Sequence, residues 1–272
     1  MKIAMTGATG NLGRLVARQL LYRIREEELL LVARRPEAVR TGSEGRAYPE
    51  VRYGDYDVPE SLGPAFRGAD KLLLVSSPHS DEDVRLRQHR AAVEAARREG
   101  VGHLVYTSVA FAEKGRLPQH RLHLETERAI RESGIPYTFL RNAYYMDIVR
   151  FLGVREAAAS GILPSPPGDW TFNTASREDL ALAAAVVLGE EGHEGRAYEL
   201  TASRSWNLDD LALALSEATG RRVVHRTDPD YANPIYRLLP LSEMKKVSPA
   251  LERLIGRPAC GVDDEVRRIF SE

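Results

Sequence analysis

The first candidate for chemistry is a group of closely spaced glycines near the amino terminus. It reads Thr6-Gly7-Ala8-Thr9-Gly10-Asn11-Leu12-Gly13 and lies between an apolar run at residues 3–6 and a helical pattern at 12–21. Gly7 permits a tight turn after a strand, Gly10 leaves room for a pyrophosphate, and Gly13 allows the helix to pack closely. The helix N-terminus adds amides and partial positive charge. The segment from Thr6 to Gly13 therefore predicts the phosphate site of a dinucleotide, with a glycine-rich turn that binds nothing as the alternative.

The residues after the second apolar run, 29–33, indicate which dinucleotide fits. Sites that prefer NAD place an acidic residue here, which accepts a hydrogen bond from the ribose 2′-hydroxyl. This chain has Arg34 and Arg35 instead. A guanidinium can bind a 2′-phosphate through two parallel hydrogen bonds, so Arg34 favours NADPH. The alternative is that both arginines form an ordinary basic turn exposed to solvent, and this alternative is favoured more for Arg35 than for Arg34.

Polar side chains also follow the next three apolar runs, at the edge of the sheet where ligands bind. Asp55 follows the third run, where a carboxylate can accept from the adenine amine or simply face water. Ser76 and Ser77 end the fourth run, and Thr107 ends the fifth. We therefore expect these four residues beside the cofactor.

The elements that would position these residues alternate along the first half of the chain. Apolar runs predict strands at 3–6, 29–33, 51–53, 72–76, 103–107 and 137–141, and helical patterns occur at 12–21, 59–66, 81–99 and 118–133. Such alternation predicts an α/β fold, a Rossmann-type doubly wound parallel sheet. The rhythm then changes, with helices at 176–188 and 207–219 and a strand at 197–201. We predict a nucleotide-binding domain over 1–145 and a smaller C-terminal substrate lobe over 146–272.

The boundaries of the second half rest on capping signals. Ser176 and Asn207 are typical helix N-caps, and Gly220 is a typical stop signal.

The composition excludes several classes of function. The 272 residues carry a net charge of -1, which offers no strongly basic face to nucleic acid. A single cysteine, Cys260, permits no intrachain disulfide, as is usual inside cells. The longest apolar candidate, 180–188, falls short of the roughly 18 residues that span a membrane. We expect a cytoplasmic protein that binds a small molecule and neither nucleic acid nor membrane, with homo-oligomerisation left open.

The proton-transfer pair common in short-chain dehydrogenases is missing. That pair is Tyr-x-x-x-Lys on one helix face, and no tyrosine of this chain has lysine four residues later. The corresponding helix has His123 and Glu127, which share a face at this spacing. The glutamate could then raise the pKa of His123, which is our one candidate catalytic residue. An exposed helix pair without catalytic role is the alternative, and no second ligand cluster supports a metal site.

Taken together, these residues resemble the atypical short-chain dehydrogenases of the NmrA-like group, and in particular its NADPH-dependent quinone reductases. The resemblance covers nearly the whole chain. Besides the glycine motif it rests on these segments: Leu72-Leu73-Leu74-Val75-Ser76-Ser77, Tyr106-Thr107-Ser108, His123-Leu124-Glu125-Thr126-Glu127, Tyr137-Thr138-Phe139-Leu140-Arg141-Asn142-Ala143-Tyr144-Tyr145, Gly192-His193-Glu194-Gly195, Tyr198-Glu199-Leu200 and Leu254-Ile255-Gly256-Arg257-Pro258.

The resemblance implies where the cofactor and the substrate lie. Ser76, Ser77 and Pro78 would pass beneath the nicotinamide ribose, and a loop at 169–175 with Asn173 and Thr174 would close over the site. The nicotinamide and substrate would be surrounded by Leu140, Arg141, Asn142, Ala143, Tyr144 and Tyr145. Independently of the resemblance, Tyr144, Tyr145 and Phe111 lie near the ends of the sixth and fifth apolar runs and are candidates for an aromatic substrate pocket, and Trp170 in the loop at 169–175 could stack on a flat ring.

Three functions remain open on these grounds. The first is NADPH-dependent hydride transfer to a quinone or similar small electrophile. The second is a non-catalytic NADP(H)-binding redox sensor, which occurs in the NmrA-like group and needs a partner surface rather than a pocket. The third, an epimerase or reductase of sugar nucleotides, is disfavoured by the missing Tyr-Lys pair. The aromatic residues and the proline- and glycine-rich loop favour a pocket and hence an enzyme.

Overall fold

The computed structural model describes residues 1–39 and 49–271. Its strands are β1 (Ile3–Met5), β2 (Leu29–Ala33), β3 (Glu50–Tyr53), β4 (Lys71–Leu74), β5 (His103–Val109), β6 (Tyr137–Asn142), β7 (Ile162–Ser165), β8 (Thr171–Phe172), β9 (Arg196–Leu200), β10 (Trp206–Asn207) and β11 (Val224–Thr227). Its α-helices are α1 (Asn11–Leu20), α2 (Leu62–Phe66), α3 (Glu82–Arg98), α4 (Pro118–Glu132), α5 (Val154–Ser160), α6 (Arg177–Gly189), α7 (Leu208–Thr219), α8 (Ile235–Leu238), α9 (Ala250–Ile255) and α10 (Val262–Ser271). None of the helices in these two ranges has the length and apolar character needed to cross a membrane.

Seven strands form one parallel sheet in the order β3-β2-β1-β4-β5-β6-β9. The first six follow the strand order of a dinucleotide-binding sheet. The chain reverses its direction of winding between β1 and β4, so a crevice opens at the carboxyl ends of those two strands. The predicted α/β Rossmann-type sheet is therefore confirmed.

Helices cover both faces of this sheet. Ile3 and Met5 of β1 pack into a core shared with α1 and α6, whereas Ala4 faces a second core built with α2, α3 and α4. Alternate residues of a strand point to opposite faces, and both faces are buried here, so the strands are apolar throughout. The sheet is thus doubly wound, as predicted.

The second half of the chain builds a third core, in which the rings of Phe172 and Trp206 stack 4.3 Å apart. Two small pairs accompany it, β7 with β11 in parallel and β8 with β10 antiparallel. However, α6 packs on α1, and β9 extends the large sheet. After the predicted division at residue 145, the chain therefore returns to the first layer with α6 and β9 before it enters α7.

The predicted capping residues act as expected. The Ser176 side chain accepts from the Asp179 N–H, and the Asn207 side chain accepts from the N–H groups of Asp209 and Asp210. Gly220 ends α7 in the left-handed conformation (φ 66°). These contacts satisfy backbone groups that a helix end would otherwise leave unpaired.

Candidate active site

The glycine-rich segment forms a tight loop between β1 and α1. Gly7 adopts a left-handed conformation (φ +68°), and a Cβ there would lie 3.0 Å from the side chain of Val75. Gly10 donates its N–H to the Gly7 carbonyl at 2.9 Å. Gly13 lies beneath the loop, where a Cβ would be 2.0 Å from the same carbonyl oxygen. Loop and helix start form a cradle that added side chains would fill, which fits a pyrophosphate.

A cleft of about 550 Å³ opens beside this loop, along the crevice between β1 and β4. This volume lies within the roughly 300–1,000 Å³ typical of ligand pockets. The residues predicted from the sequence that line it are Thr6, Gly7, Thr9, Gly10, Asn11, Leu12, Gly13, Arg34, Asp55, Ser76, Ser77, Pro78 and Tyr145. The cleft therefore joins the phosphate loop to the ends of β2, β3 and β4.

One end of the cleft has the groups that an adenosine 2′-phosphate requires. Arg34 is exposed directly after β2, so its guanidinium is accessible to an anion. Asp55 follows β3, and its carboxylate accepts the Asp57 N–H at 3.0 Å. That bond leaves the carboxylate acceptor capacity for a ligand, since each oxygen has two lone pairs.

The sequence reasoning missed several cleft residues, among them Tyr56, Asp57, Gln88 and Arg177. The Tyr56 hydroxyl lies 2.7 Å from both Thr6 Oγ1 and the Val75 carbonyl, and burial raises its pKa, so it stays a phenol. Asp57 also lines the cleft, as do Gln88 of α3 and Arg177 of α6. Tyr56 and Asp57 follow Asp55 directly, so strand-end reasoning extended by two residues would have found them. Gln88 and Arg177 reach the cleft only through helix packing.

Arg177 and Tyr145 form one unit at the far end of the cleft. The guanidinium carbon lies 4.0 Å from the centre of the Tyr145 ring, and Arg177 also pairs with Asp147. Burial raises the pKa of Tyr145, although Arg177 opposes the shift. A neutral phenol ring fixed by a cation–π contact is a rigid surface for a flat ligand.

The other aromatic residues predicted for the pocket do not line this cleft. The Tyr144 hydroxyl lies 2.6 Å from Gln119 Nε2 and 2.8 Å from Ser242 Oγ, and its ring packs against the lobe core. Trp170 donates its indole N–H to the Pro166 carbonyl at 2.7 Å and also packs in that core. Of the predicted aromatic set, Tyr145 is the one that lines the described cleft.

Several residues predicted to contact the cofactor are buried instead. Thr107 Oγ1 accepts the Ser76 N–H at 2.9 Å, and the Asn173 amide donates to carbonyls of the lobe at residues 243 and 246. The Thr174 hydroxyl accepts the Trp206 indole N–H at 2.9 Å. Apart from Arg141, the buried members of the predicted set that do not line the described cleft are Ala8, Thr107, Leu140, Asn142, Ala143, Asn173 and Thr174. They support the walls of the cleft rather than line it.

Arg141, also predicted at the cofactor, is the centre of a buried ion network. Its Nε and Nη2 bind the two carboxylate oxygens of Glu127 at 2.9 and 2.7 Å, and its Nη1 binds Glu199 at 2.9 Å. Burial disfavours the charge, but these hydrogen bonds outweigh it and raise the pKa of Arg141. Glu199 also accepts the N–H of Phe111, whose left-handed backbone (φ 50°) is unique among non-glycine residues of the described ranges. The network therefore holds a strained turn after β5.

The expected contact between His123 and Glu127 is wrong. Glu127 accepts from Arg141 and from the Ser108 hydroxyl (2.8 Å), because a wholly buried carboxylate requires such donors. His123 instead lies with Nδ1 2.8 Å from the Tyr106 hydroxyl. Burial lowers the pKa of His123 well below 6.5, with a further contribution from nearby histidines, which is opposite to the expected shift. Within the described ranges no three potential metal ligands cluster.

The sheet order, the phosphate loop and the cleft together define a dinucleotide-binding Rossmann protein. Comparison with known proteins agrees. Residues 7–191 match the NAD(P)H-binding family. Quinone oxidoreductase 2 of Escherichia coli (strain K12) is 34% identical, with 99% of each chain covered. An NmrA-like family domain-containing oxidoreductase of Aspergillus flavus is 33% identical over 85% of this chain and 76% of its own.

A solved structure extends the comparison. Triphenylmethane reductase of Citrobacter sp., complexed with NADP(H), is 40% identical and superimposes with a TM-score of 0.88 over 98% of this chain and 99% of its own. The chain therefore belongs to the NAD(P)H-binding family, among its NmrA-like oxidoreductases, as the sequence motifs predicted.

Proposed function

We propose that this protein transfers hydride from NADPH to a quinone or a similar small electrophile. The observation that carries the proposal is that helix α4 offers no proton donor at the place where a Tyr-Lys pair would supply the proton for ketone reduction. Its Glu127 is engaged by Arg141, and its His123 is buried and neutral at pH 7. Reduction of a ketone develops a strongly basic alkoxide and needs a positioned acid. Reduction of a quinone yields an anion delocalised over a ring, which water can protonate.

The remaining task of the chain is to bind and orient. Bound NADPH would supply the hydride, and the protein residues would hold the two reacting rings in contact. The phosphate loop would bind the pyrophosphate through backbone amides, and Arg34 would bind the 2′-phosphate. Tyr145, fixed by Arg177, would hold the flat acceptor or the nicotinamide.

The relatives support this acceptor class. Escherichia coli quinone oxidoreductase 2 is named for quinones, and the Citrobacter enzyme acts on triphenylmethane compounds. Both names describe aromatic or quinonoid electrophiles. We also infer a cytoplasmic protein whose partner is a small molecule, without nucleic acid. Sedimentation velocity would test the homo-oligomer that the sequence left open.

The direct test is steady-state NADPH oxidation with a panel of quinones, using simple ketones as the comparison. Quinones are expected to be reduced and ketones are not. His123→Ala should slow quinone reduction by at most about 10²-fold, the low end of general acid catalysis. Tight NADPH binding without turnover of any quinone would overturn the proposal in favour of a redox sensor.

A further inference from the structure

Helix α3 directs two adjacent side chains at the segment that follows β4. His89 Nε2 accepts the backbone N–H of Ser77 at 2.9 Å, and Gln88 Oε1 accepts the Ser77 hydroxyl at 2.5 Å. All three residues are buried, with exposed fractions of 3% for Ser77, 6% for Gln88 and 0% for His89. Ser77 is therefore fixed through both its backbone and its side chain.

The role of His89 depends on its protonation. Nε2 can accept from Ser77 only when it carries no proton, so the proton is on Nδ1, which lies 2.9 Å from Thr126 Oγ1. Thr126 in turn donates its hydroxyl hydrogen to the Leu122 carbonyl. Burial, assisted by Arg85, lowers the pKa of His89 to about 3. The neutral imidazole thus links Ser77 firmly to α4.

The segment held in this way forms one wall of the cleft. Ser76, Ser77 and Pro78 line it at the end of β4, whereas Arg34 lines it at the end of β2, on the other side of β1. A dinucleotide whose 2′-phosphate contacts Arg34 must extend across the phosphate loop toward β4. Its nicotinamide half then meets the Ser76–Pro78 wall.

We propose that Gln88 and His89 are positioning residues that hold the Ser76–Pro78 wall against the nicotinamide half of the cofactor. This inference rests on the proposed function, because that function orients the dinucleotide in the cleft. Neither residue need touch the reacting atoms. Because the wall is already ordered in the free protein, less conformational entropy is lost when the cofactor binds, and the affinity is higher.

The two ends of the Gln88 side chain differ in what they contribute. Gln88 Nε2 donates to Asp57 Oδ1 at 2.6 Å, but Asp57 is exposed, so water can replace that bond. The bond to Ser77 is buried, where a lost partner is not replaced. Loss of the Gln88 amide should therefore affect the nicotinamide side more than the adenosine side.

The test compares two ligands, NADPH and adenosine 2′,5′-bisphosphate, which lacks the nicotinamide half. Their dissociation constants are measured by titration calorimetry for the wild type, Gln88→Met, Ser77→Ala and the double variant. For Gln88→Met the NADPH dissociation constant should rise about tenfold, the scale of one to two lost net hydrogen bonds. The value for the bisphosphate should change less than about twofold. The double variant should be no weaker than Gln88→Met, because both single changes break the same bond.

Arg87→Met is the matched control, since Arg87 is exposed on the same helix and should leave both constants unchanged. If Gln88→Met does not fold, Ser77→Ala removes the same buried bond with a smaller change. Equal weakening of both ligands, or no weakening of NADPH, would overturn the proposal. A wild-type protein that binds NADPH but reduces no quinone would overturn the proposed reaction, while the split between the two ligands would still support the positioning role.

Discussion

Replacement of Gly13 by alanine is the sharpest test of how the phosphate loop rests on α1. An alanine Cβ would lie 2.0 Å from the Gly7 carbonyl oxygen and 2.7 Å from its carbonyl carbon. Both atoms are backbone, so no flexible side chain can turn away. Relief of the contact requires a relative movement of about 1 Å between loop and helix, and overpacking of this kind typically costs about 1–3 kcal/mol.

This cost must appear in one of two measurements. If the loop keeps its shape, the free protein loses stability. Each kcal/mol of lost unfolding free energy lowers Tm by about 2–4 °C in a chain of roughly this size. If the loop moves instead, stability is spared and NADPH affinity falls by about 5- to 150-fold. Differential scanning calorimetry and an NADPH titration on the same Gly13→Ala sample therefore give two free energies, whose sum should reach about 1–3 kcal/mol.

Gly189→Ala serves as the control for this experiment. Gly189 ends α6, has a backbone that suits any residue, and has no atom within 4 Å of an added Cβ. Alanine is the better helix former, by up to about 1 kcal/mol, so Tm should hold or rise slightly and NADPH affinity should not change. If Gly13→Ala matched the wild type in both Tm and affinity, the close approach of loop and helix would be refuted.

Three further changes test the cofactor site and the buried histidines. Arg34→Ala should reduce NADPH affinity by about 10- to 150-fold, the value of one charge-assisted contact, and leave NADH affinity nearly unchanged in parallel titrations. Gly10→Val should abolish NADPH binding, while the circular dichroism spectrum stays native because the sheet core does not use that position. Stability should fall as pH drops from 6.5 toward 4, because His89 and His103, with pKa values lowered to about 3 and about 4 by burial, take up protons only on unfolding. Each should cost about 2 kcal/mol by pH 5 in urea titrations.

Each of these expectations has a clear contrary result. Equal affinity of the wild type for NADPH and NADH would refute the role of Arg34. A folded Gly10→Val protein that still binds NADPH would rule out the location of the phosphates. For the histidines, His103→Gln is the control, since it should remove the contribution of His103, about 2 kcal/mol between pH 7 and pH 5, and leave that of the other buried histidines. An unfolding free energy that does not vary over this range would contradict neutral burial.

The main sheet could be predicted because its signals are local. Strands such as β2 are apolar at every position, and Ser176, Asn207 and Gly220 mark helix ends through bonds to residues nearby in sequence. The phosphate loop is equally local, since its glycines contact one another across six residues. These features require no knowledge of which elements pack together.

The side chains that complete the cleft could not be predicted in this way. Gln88 and Arg177 reach it because α3 and α6 pack at particular angles, which the chain fixes through long-range contacts. The error over His123 and Glu127 has the same origin. Helix spacing correctly puts them on one face, but burial directs the carboxylate to Arg141 on β6 and the imidazole to Tyr106 on β5.

The Glu127–Arg141 pair also explains what helix α4 contributes in a protein of this fold that lacks the usual proton-donating tyrosine. In this protein α4 contributes a buried carboxylate that joins the ends of β5 and β6 through Ser108 and Arg141. Removing either charge would break both hydrogen bonds of the pair and leave the other group buried with fewer partners, which costs more than the pair itself contributes. The helix face that could deliver a proton therefore holds the ends of β5 and β6 together instead. A helix that contributes rigidity but no acid suits an acceptor whose reduced form is a stabilised anion, and it does not suit a ketone.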